Sequence, residues 1–79
     1  MNFFWNYQAV REIRYRPELG WYFTYGIRAR RRSVRGWDQI ESVHDVTTDR
    51  GFADQLAEGF SVYQLSPVHL RDTVLDQIS

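Results

Sequence analysis

Two runs of alternating apolar and polar residues, joined by a Pro/Gly turn, constrain this chain more than any other feature of it. From Phe3 to Tyr15 the odd positions Phe3, Trp5, Tyr7, Ala9, Ile13 and Tyr15 are apolar, and Asn6, Gln8, Glu12 and Arg14 fall between them. From Trp21 to about Arg30 the alternation is cleaner, with Trp21, Phe23, Tyr25, Ile27 and Ala29 on one face and Tyr22, Thr24, Gly26, Arg28 and Arg30 on the other. A period of two belongs to a strand with one dry face and one wet one. Arg16-Pro17-Glu18-Leu19-Gly20 lies between the runs; Pro sets φ and Gly tolerates a positive one, so the two strands form a hairpin. Arg11 interrupts the first run. Either a bulge resets the register there or its guanidinium snorkels past the sheet edge.

Arg31 to Gly36 reads as a second turn, and Trp37 to Val46 as a third strand. Trp37, Ile40 and His44 also fit a helical spacing; the β-branched Ile40, Val43 and Val46 favour the strand, with its register open. Thr47-Thr48-Asp49 then supplies hydroxyl and carboxylate acceptors for the first free N–H groups of a helix. Phe52, Leu56, Phe60 and Tyr63 form its apolar stripe, and Gly59 within it predicts the close approach of a neighbouring element. Leu65-Ser66-Pro67 starts a second helix, with Ser66 as N-cap, Pro67 at N1 and Leu65 set to staple onto Leu70. Leu70, Val74, Leu75 and Ile78 form its buried stripe. The expected fold is α+β, a three-stranded antiparallel meander followed by two helices packed on one sheet face (β-β-β-α-α). It is one domain over residues 1–79, with the sheet over about 3–46 and helices over about 49–64 and 66–78.

A chain of 79 residues supports one core, and a domain of this size buries only roughly 60% of the surface its unfolded chain exposes. Small secreted domains offset that with disulfides, and this chain has no cysteine, which excludes a disulfide scaffold and a thiolate zinc site alike. The start Met1-Asn2-Phe3-Phe4-Trp5-Asn6 lacks the cationic head and apolar run of a secretion signal, so a cytoplasmic location is expected. Three Trp, five Tyr and five Phe supply the core, and their number predicts a surplus left on the surface as contact residues. The net charge of zero conceals a division: residues 1–36 carry +6 and residues 37–79 carry −6, and all ten cations are Arg.

Tyr25-Gly26-Ile27, Asp45-Val46-Thr47-Thr48-Asp49-Arg50 and Leu65-Ser66-Pro67-Val68-His69-Leu70-Arg71-Asp72 together resemble the pattern of a family of small, uncharacterised bacterial proteins, a domain of unknown function. The resemblance runs from about Tyr22 to Ile78. It implies the same order of strands and helices and implies no activity; it leaves out the aromatic first strand and the Arg30-Arg31-Arg32 run.

No enzyme is expected. His44 and Asp45 are neighbours in a strand and so point to opposite faces, and the chain has neither a Gly-x-Ser-x-Gly elbow nor a glycine-rich phosphate loop. His69, Asp72 and Asp76 share a helix face, which reads as a solvated face rather than a metal site. No cofactor is expected. The candidate partner-binding residues are Tyr22, Arg28, Arg30, Arg32 and Arg14, cations interleaved with a ring on the sheet face away from the helices. The reading is a non-catalytic interaction or regulatory domain that binds a protein partner, or itself, through that face. The alternative is single-stranded nucleic-acid binding by the same hairpin, against which stand the zero net charge and the missing aromatic consensus of sheet-based RNA binders. The bland reading is a wet face whose arginines pair with Glu12, Asp38 or Glu41 across strands.

Overall fold

The computed structural model describes residues 4–78. The elements follow the expected order: β1 (Trp5–Arg16), β2 (Gly20–Ser33), β3 (Gly36–Thr47), α1 (Arg50–Val62), a 3-10 turn (Pro67–His69) and α2 (Leu70–Ile78). The strands form one antiparallel sheet in the order β1-β2-β3. Phe3, the expected start of the first strand, lies outside the described residues.

β1 and β2 pair without interruption from Trp5 opposite Arg31 to Arg16 opposite Gly20. No bulge occurs at Arg11. It sits opposite Tyr25 on the apolar face, at the rim beside Arg50 and Asp54 where α1 begins, with its guanidinium 4.8 Å from the centre of the Phe23 ring. The first turn closes with the Leu19 N–H donating to the Arg16 carbonyl, and Gly20 takes φ +74°. The second turn is shorter than the sequence indicates: Arg31, Arg32 and Ser33 continue β2, and Ser33 pairs directly with Gly36, which takes φ +117°.

The core forms where the odd face of β1 and β2 meets the helices. Tyr7, Ile27 and Ala29 from the sheet pack with Val46, with Ala53, Leu56, Ala57 and Phe60 of α1, and with Leu70 and Val74 of α2. Burying a side chain of the size of Ile27 or Leu70 contributes roughly 1.5–3 kcal/mol. Asp49 caps α1, its carboxylate accepting from the Phe52 N–H at 3.1 Å. The α1 stripe runs through Ala53 and Ala57 rather than on to Tyr63, which ends the helix and stands 86% exposed. Nothing comes within 4 Å of a Cβ built on Gly59, so the expected close approach there is absent. In the second helix the first turn is 3-10: Ser66 makes no side-chain cap, and its carbonyl accepts from the His69 N–H instead. Leu70 and Val74 are fully buried, whereas Leu75 and Ile78 are half-exposed.

Helix α1 also covers part of the β1 edge. The Ser61 hydroxyl accepts from the Tyr7 N–H and donates to the Tyr7 carbonyl; the Gln64 amide accepts from the Phe4 and Trp5 N–H groups and donates to the Trp5 carbonyl. These side chains take the place of a neighbouring strand. Thirteen helical residues span about 20 Å, while the twelve of β1 span about 40 Å. The far half of the β1–β2 ribbon therefore runs past the helices, which accounts for the 44 Å long axis. Ile13, Tyr15, Trp21 and Phe23, on the same face as the core, are 62%, 57%, 75% and 54% exposed. Most of the aromatic surplus lies here, and the arginine face holds Trp37 beside Arg30 and the half-buried Tyr22.

Candidate functional site

The outer face of the sheet carries the even positions of β1 and β2. A three-stranded sheet separates β1 from β3 by the full width of β2, about 10 Å, so side chains of the two outer strands meet only where the middle strand leaves room. Gly26 leaves that room. Between the pairs Ile27–Val43 and Tyr25–Thr47, the single residue Gly26 faces His44, Asp45 and Val46, a bulge of two extra residues on β3. Asp45 takes a left-handed conformation there, φ 53°, which Asp tolerates better than most residues. The bulge folds over the glycine, and a Cβ at Gly26 would lie 2.7 Å from the Val43 carbonyl oxygen and 3.3 Å from Glu12 Oε1.

Across this gap Glu12 of β1 reaches β3. Its Oε2 lies 2.5 Å from His44 Nδ1, and its Oε1 accepts from the Asp45 N–H at 2.9 Å, with the Arg14 guanidinium at 3.6 Å. Burial alone would raise the Glu12 carboxyl; the hydrogen bonds from His44 and the Asp45 backbone, with the charges of His44 and Arg14, outweigh it and hold the group below its ordinary value. Asp45 is likewise held low, by the Thr24 hydroxyl first and then by Arg16 and the Tyr22 hydroxyl. Arg16 bonds Asp45 Oδ2 at 3.2 Å and leans on the Tyr22 ring. His44 and Asp45 do not pair with each other: each is taken by a different side chain. Beside the Glu12–His44 contact, Arg28, Gln39 and Ser42 line an open cavity of about 110 Å³ floored by Gly26.

The five residues singled out from the sequence therefore separate into two groups. Arg14 and Tyr22 sit opposite each other and are tied into the Glu12 and Asp45 cluster. Arg28, Arg30 and Arg32 begin about 20 Å further along β2, and here the arrangement differs. Arg28 Nη2 donates to Gln8 Oε1 at 2.6 Å and Arg30 Nη2 to Asn6 Oδ1 at 2.7 Å, each from the residue opposite it on β1. Trp37 lies under the Arg30 guanidinium at 5.3 Å. Among the described residues no carboxylate lies within ion-pair distance of Arg28 or Arg30, and the Nε atoms of both are buried without a hydrogen-bond partner. Glu12, Asp38 and Glu41 do not neutralise this end: Glu12 is spent on His44 and Arg14, and Asp38 and Glu41 pair with Arg31 and Ala29, positions of the other face. Arg32 is exposed opposite Trp37.

No known family, curated protein or solved structure matches the chain. His69, Asp72 and Asp76 are exposed on α2, and no group of three or more metal-ligating side chains occurs among the described residues. No helix among them is long and apolar enough to cross a membrane. Sequence reasoning named Glu12 as a partner for the arginines, which holds for Arg14, but missed its contact with His44 and the place of Trp37 beside Arg30. A glycine on the wet face of the best-formed strand was the available signal for that contact, because a strand interior holds Gly at a disadvantage unless another group needs the space.

Proposed function

We propose that this chain is a non-catalytic interaction module that grips an extended, acidic segment of a protein partner on the outer face of its sheet, and that it does so in the cytoplasm. One observation carries the reading: the guanidinium groups of Arg28 and Arg30 are held in place by neutral amides. An amide oxygen orients a guanidinium and leaves its charge uncompensated, whereas a carboxylate would cancel it. The two arginines stand two residues apart on one strand, roughly 7 Å, the spacing at which an extended segment presents alternate side chains. Trp37 adds a flat wall beside Arg30. Zero net charge favours a local acidic contact over the long-range attraction on which nucleic-acid binders rely.

The Arg30–Trp37 stack supports a second reading, single-stranded nucleic acid, in which a base stacks on the indole. Fluorescence anisotropy with a labelled peptide carrying Glu at alternate positions, set against a labelled oligothymidylate, separates the two. The peptide is expected to bind in a salt-sensitive manner and to lose at least tenfold in affinity with Arg28→Ala and Arg30→Ala combined, since a hydrogen bond to a charged group contributes about 1.5–3 kcal/mol. Tighter binding of the oligonucleotide transfers the assignment to nucleic acid. Peptide binding indifferent to the double substitution overturns both.

A further inference from the structure

The edge of β1 beyond the helices carries an inference independent of the arginine face. Trp5 and Tyr7 turn their backbone groups away from β2, where Ser61 and Gln64 meet them. Because β1 pairs with β2 without a bulge, the same alternation turns the N–H and C=O groups of Ala9, Arg11, Ile13 and Tyr15 off that edge. Among the described residues none of these four has a backbone partner on that side. Sheet edges in monomeric proteins are blunted by bulges, prolines, charged side chains, inward-pointing charges or a covering element. This stretch has no bulge and no proline, the nearest, Pro17, standing in the turn beyond it; Arg50 and Asp54 of α1 stand beside Ala9 and Arg11, and the inward-facing Arg11 is its one blunting charge on the core side, so the open part is the end that bears Ile13 and Tyr15.

We propose that this edge pairs with the same edge of a second copy, antiparallel about a two-fold axis at Ile13, joining two sheets into one. Every register centred on a residue keeps outward-pointing backbone groups opposite each other, and side-chain charge decides among the central ones: pairings centred on Arg11 or Arg14 set an arginine against its own copy. A pairing centred on Glu12 sets Glu12 against the partner's Glu12. A pairing centred on Ile13 sets Ile13 against the partner's Ile13, Arg11 against the partner's Tyr15 and Arg14 against the partner's Glu12, the last two occurring twice by symmetry; the Glu12 carboxylate stays with its own His44 and the Asp45 N–H, so what this register offers Arg14 is a position without a like charge. Like charges directly opposite are unfavourable, while opposite charges and cation–ring pairs are favourable. Arg14 reaches its own Glu12 only at 3.6 Å and is exposed enough to turn a second donor toward a neighbour. The edge is thus self-complementary in one register, which is what a two-fold contact requires and a foreign strand would match only by coincidence. The pairing also sets the two arginine faces side by side on a continuous surface.

Sedimentation equilibrium tests the association, and it should find a dimer. Arg14→Glu, which places carboxylates opposite one another in the proposed register, should shift it to monomer with the far-ultraviolet spectrum unchanged. Ile13→Pro removes a backbone donor that points off the edge and should do the same. The register is read by single cysteines in this cysteine-free chain. Opposed residues of a hydrogen-bonded antiparallel pair lie about 5.5 Å apart at Cα, within disulfide range. Ile13→Cys should therefore cross-link to a covalent dimer under mild oxidation, and Arg11→Cys, offset by four residues from its own copy, should not. A monomer at the highest soluble concentration overturns the proposal and leaves the edge to another chain; equal cross-linking at both positions overturns the register. The combined Arg28→Ala and Arg30→Ala chain should remain a dimer, so failure here and failure of peptide binding are separable.

Discussion

Replacing Gly26 by alanine adds one methyl group at the point where the outer face is tightest. The glycine has no positive φ, so alanine fits its backbone conformation, and the effect is one of space alone. The new Cβ would stand 2.7 Å from the Val43 carbonyl oxygen, which belongs to the backbone of the β3 bulge and cannot rotate away as a side chain does. It would also stand 3.3 Å from Glu12 Oε1, the atom that accepts the Asp45 N–H. Overpacking of this kind costs about 1–3 kcal/mol. Removing a glycine from a strand returns about 0.5–1 kcal/mol through the unfolded chain. The net expectation is a loss of about 1–2 kcal/mol, or a fall in Tm of roughly 5–15 °C at a fixed protein concentration for a chain of this length. Gly59→Ala is the matched control. It lies inside α1 with nothing within 4 Å of its Cβ, so it should gain roughly 0.5–1 kcal/mol from helix propensity. Urea and thermal unfolding of the two variants should move in opposite directions. A Gly26→Ala chain as stable as its parent would refute the reasoning, because it would mean that the bulge shifts freely and that the Glu12 bridge does not depend on an empty position in β2.

Stability should also fall in acid through the same bridge. Glu12 and Asp45 titrate below their ordinary values of 4.5 and 3.8 in the folded chain, so the unfolded chain binds more protons as pH falls and folding is progressively disfavoured below about pH 4.5; above that the contribution is complete. Urea midpoints at neutral pH and near pH 3 check this, and Glu12→Gln should flatten the difference. Gln64→Ala removes the amide that serves as neighbour to the end of β1, exposing two N–H groups and a carbonyl. It should cost about 1–3 kcal/mol in urea unfolding and raise amide exchange at Trp5 first.

The fold was legible because its signals are local and agree with one another: period-two runs, a Pro/Gly turn, an Asp cap. What was not legible depends on lengths and on meetings across the sheet. The odd face of β1 and β2 reads as a dry face from Trp5 to Tyr15 broken at Arg11, but periodicity carries no information on how much of it a helix of thirteen residues can cover. Tyr15, Trp21 and Phe23 are apolar at core-facing positions and still exposed for that reason. The helical stripe failed at its ends in a similar way. Tyr63 continues the spacing of Phe52, Leu56 and Phe60, yet the helix turns off at Gln64, whose φ of 52° redirects the chain toward the β1 edge.

The arginine face shows the same limit from the chemical side. The sequence left two readings of these arginines, an open face or pairing with Glu12, Asp38 or Glu41 across strands, and periodicity alone does not choose between them. The pairing that forms is set by what stands opposite on β1, and those positions hold Asn6 and Gln8. Glu12 lies on the same face only two rungs beyond Gln8, so exchanging Gln8 for Glu would bring a carboxylate to Arg28 at the cost of one atom's change. That Arg28 and Arg30 keep neutral partners while Arg14 and Arg16 keep charged ones divides a single strand face into a self-neutralised end and a cationic end. Gly26 lies at the boundary, since the bulge it admits delivers Asp45 to Arg16 and Tyr22 and His44 to Glu12, and so draws the acids of the outer face away from Arg28.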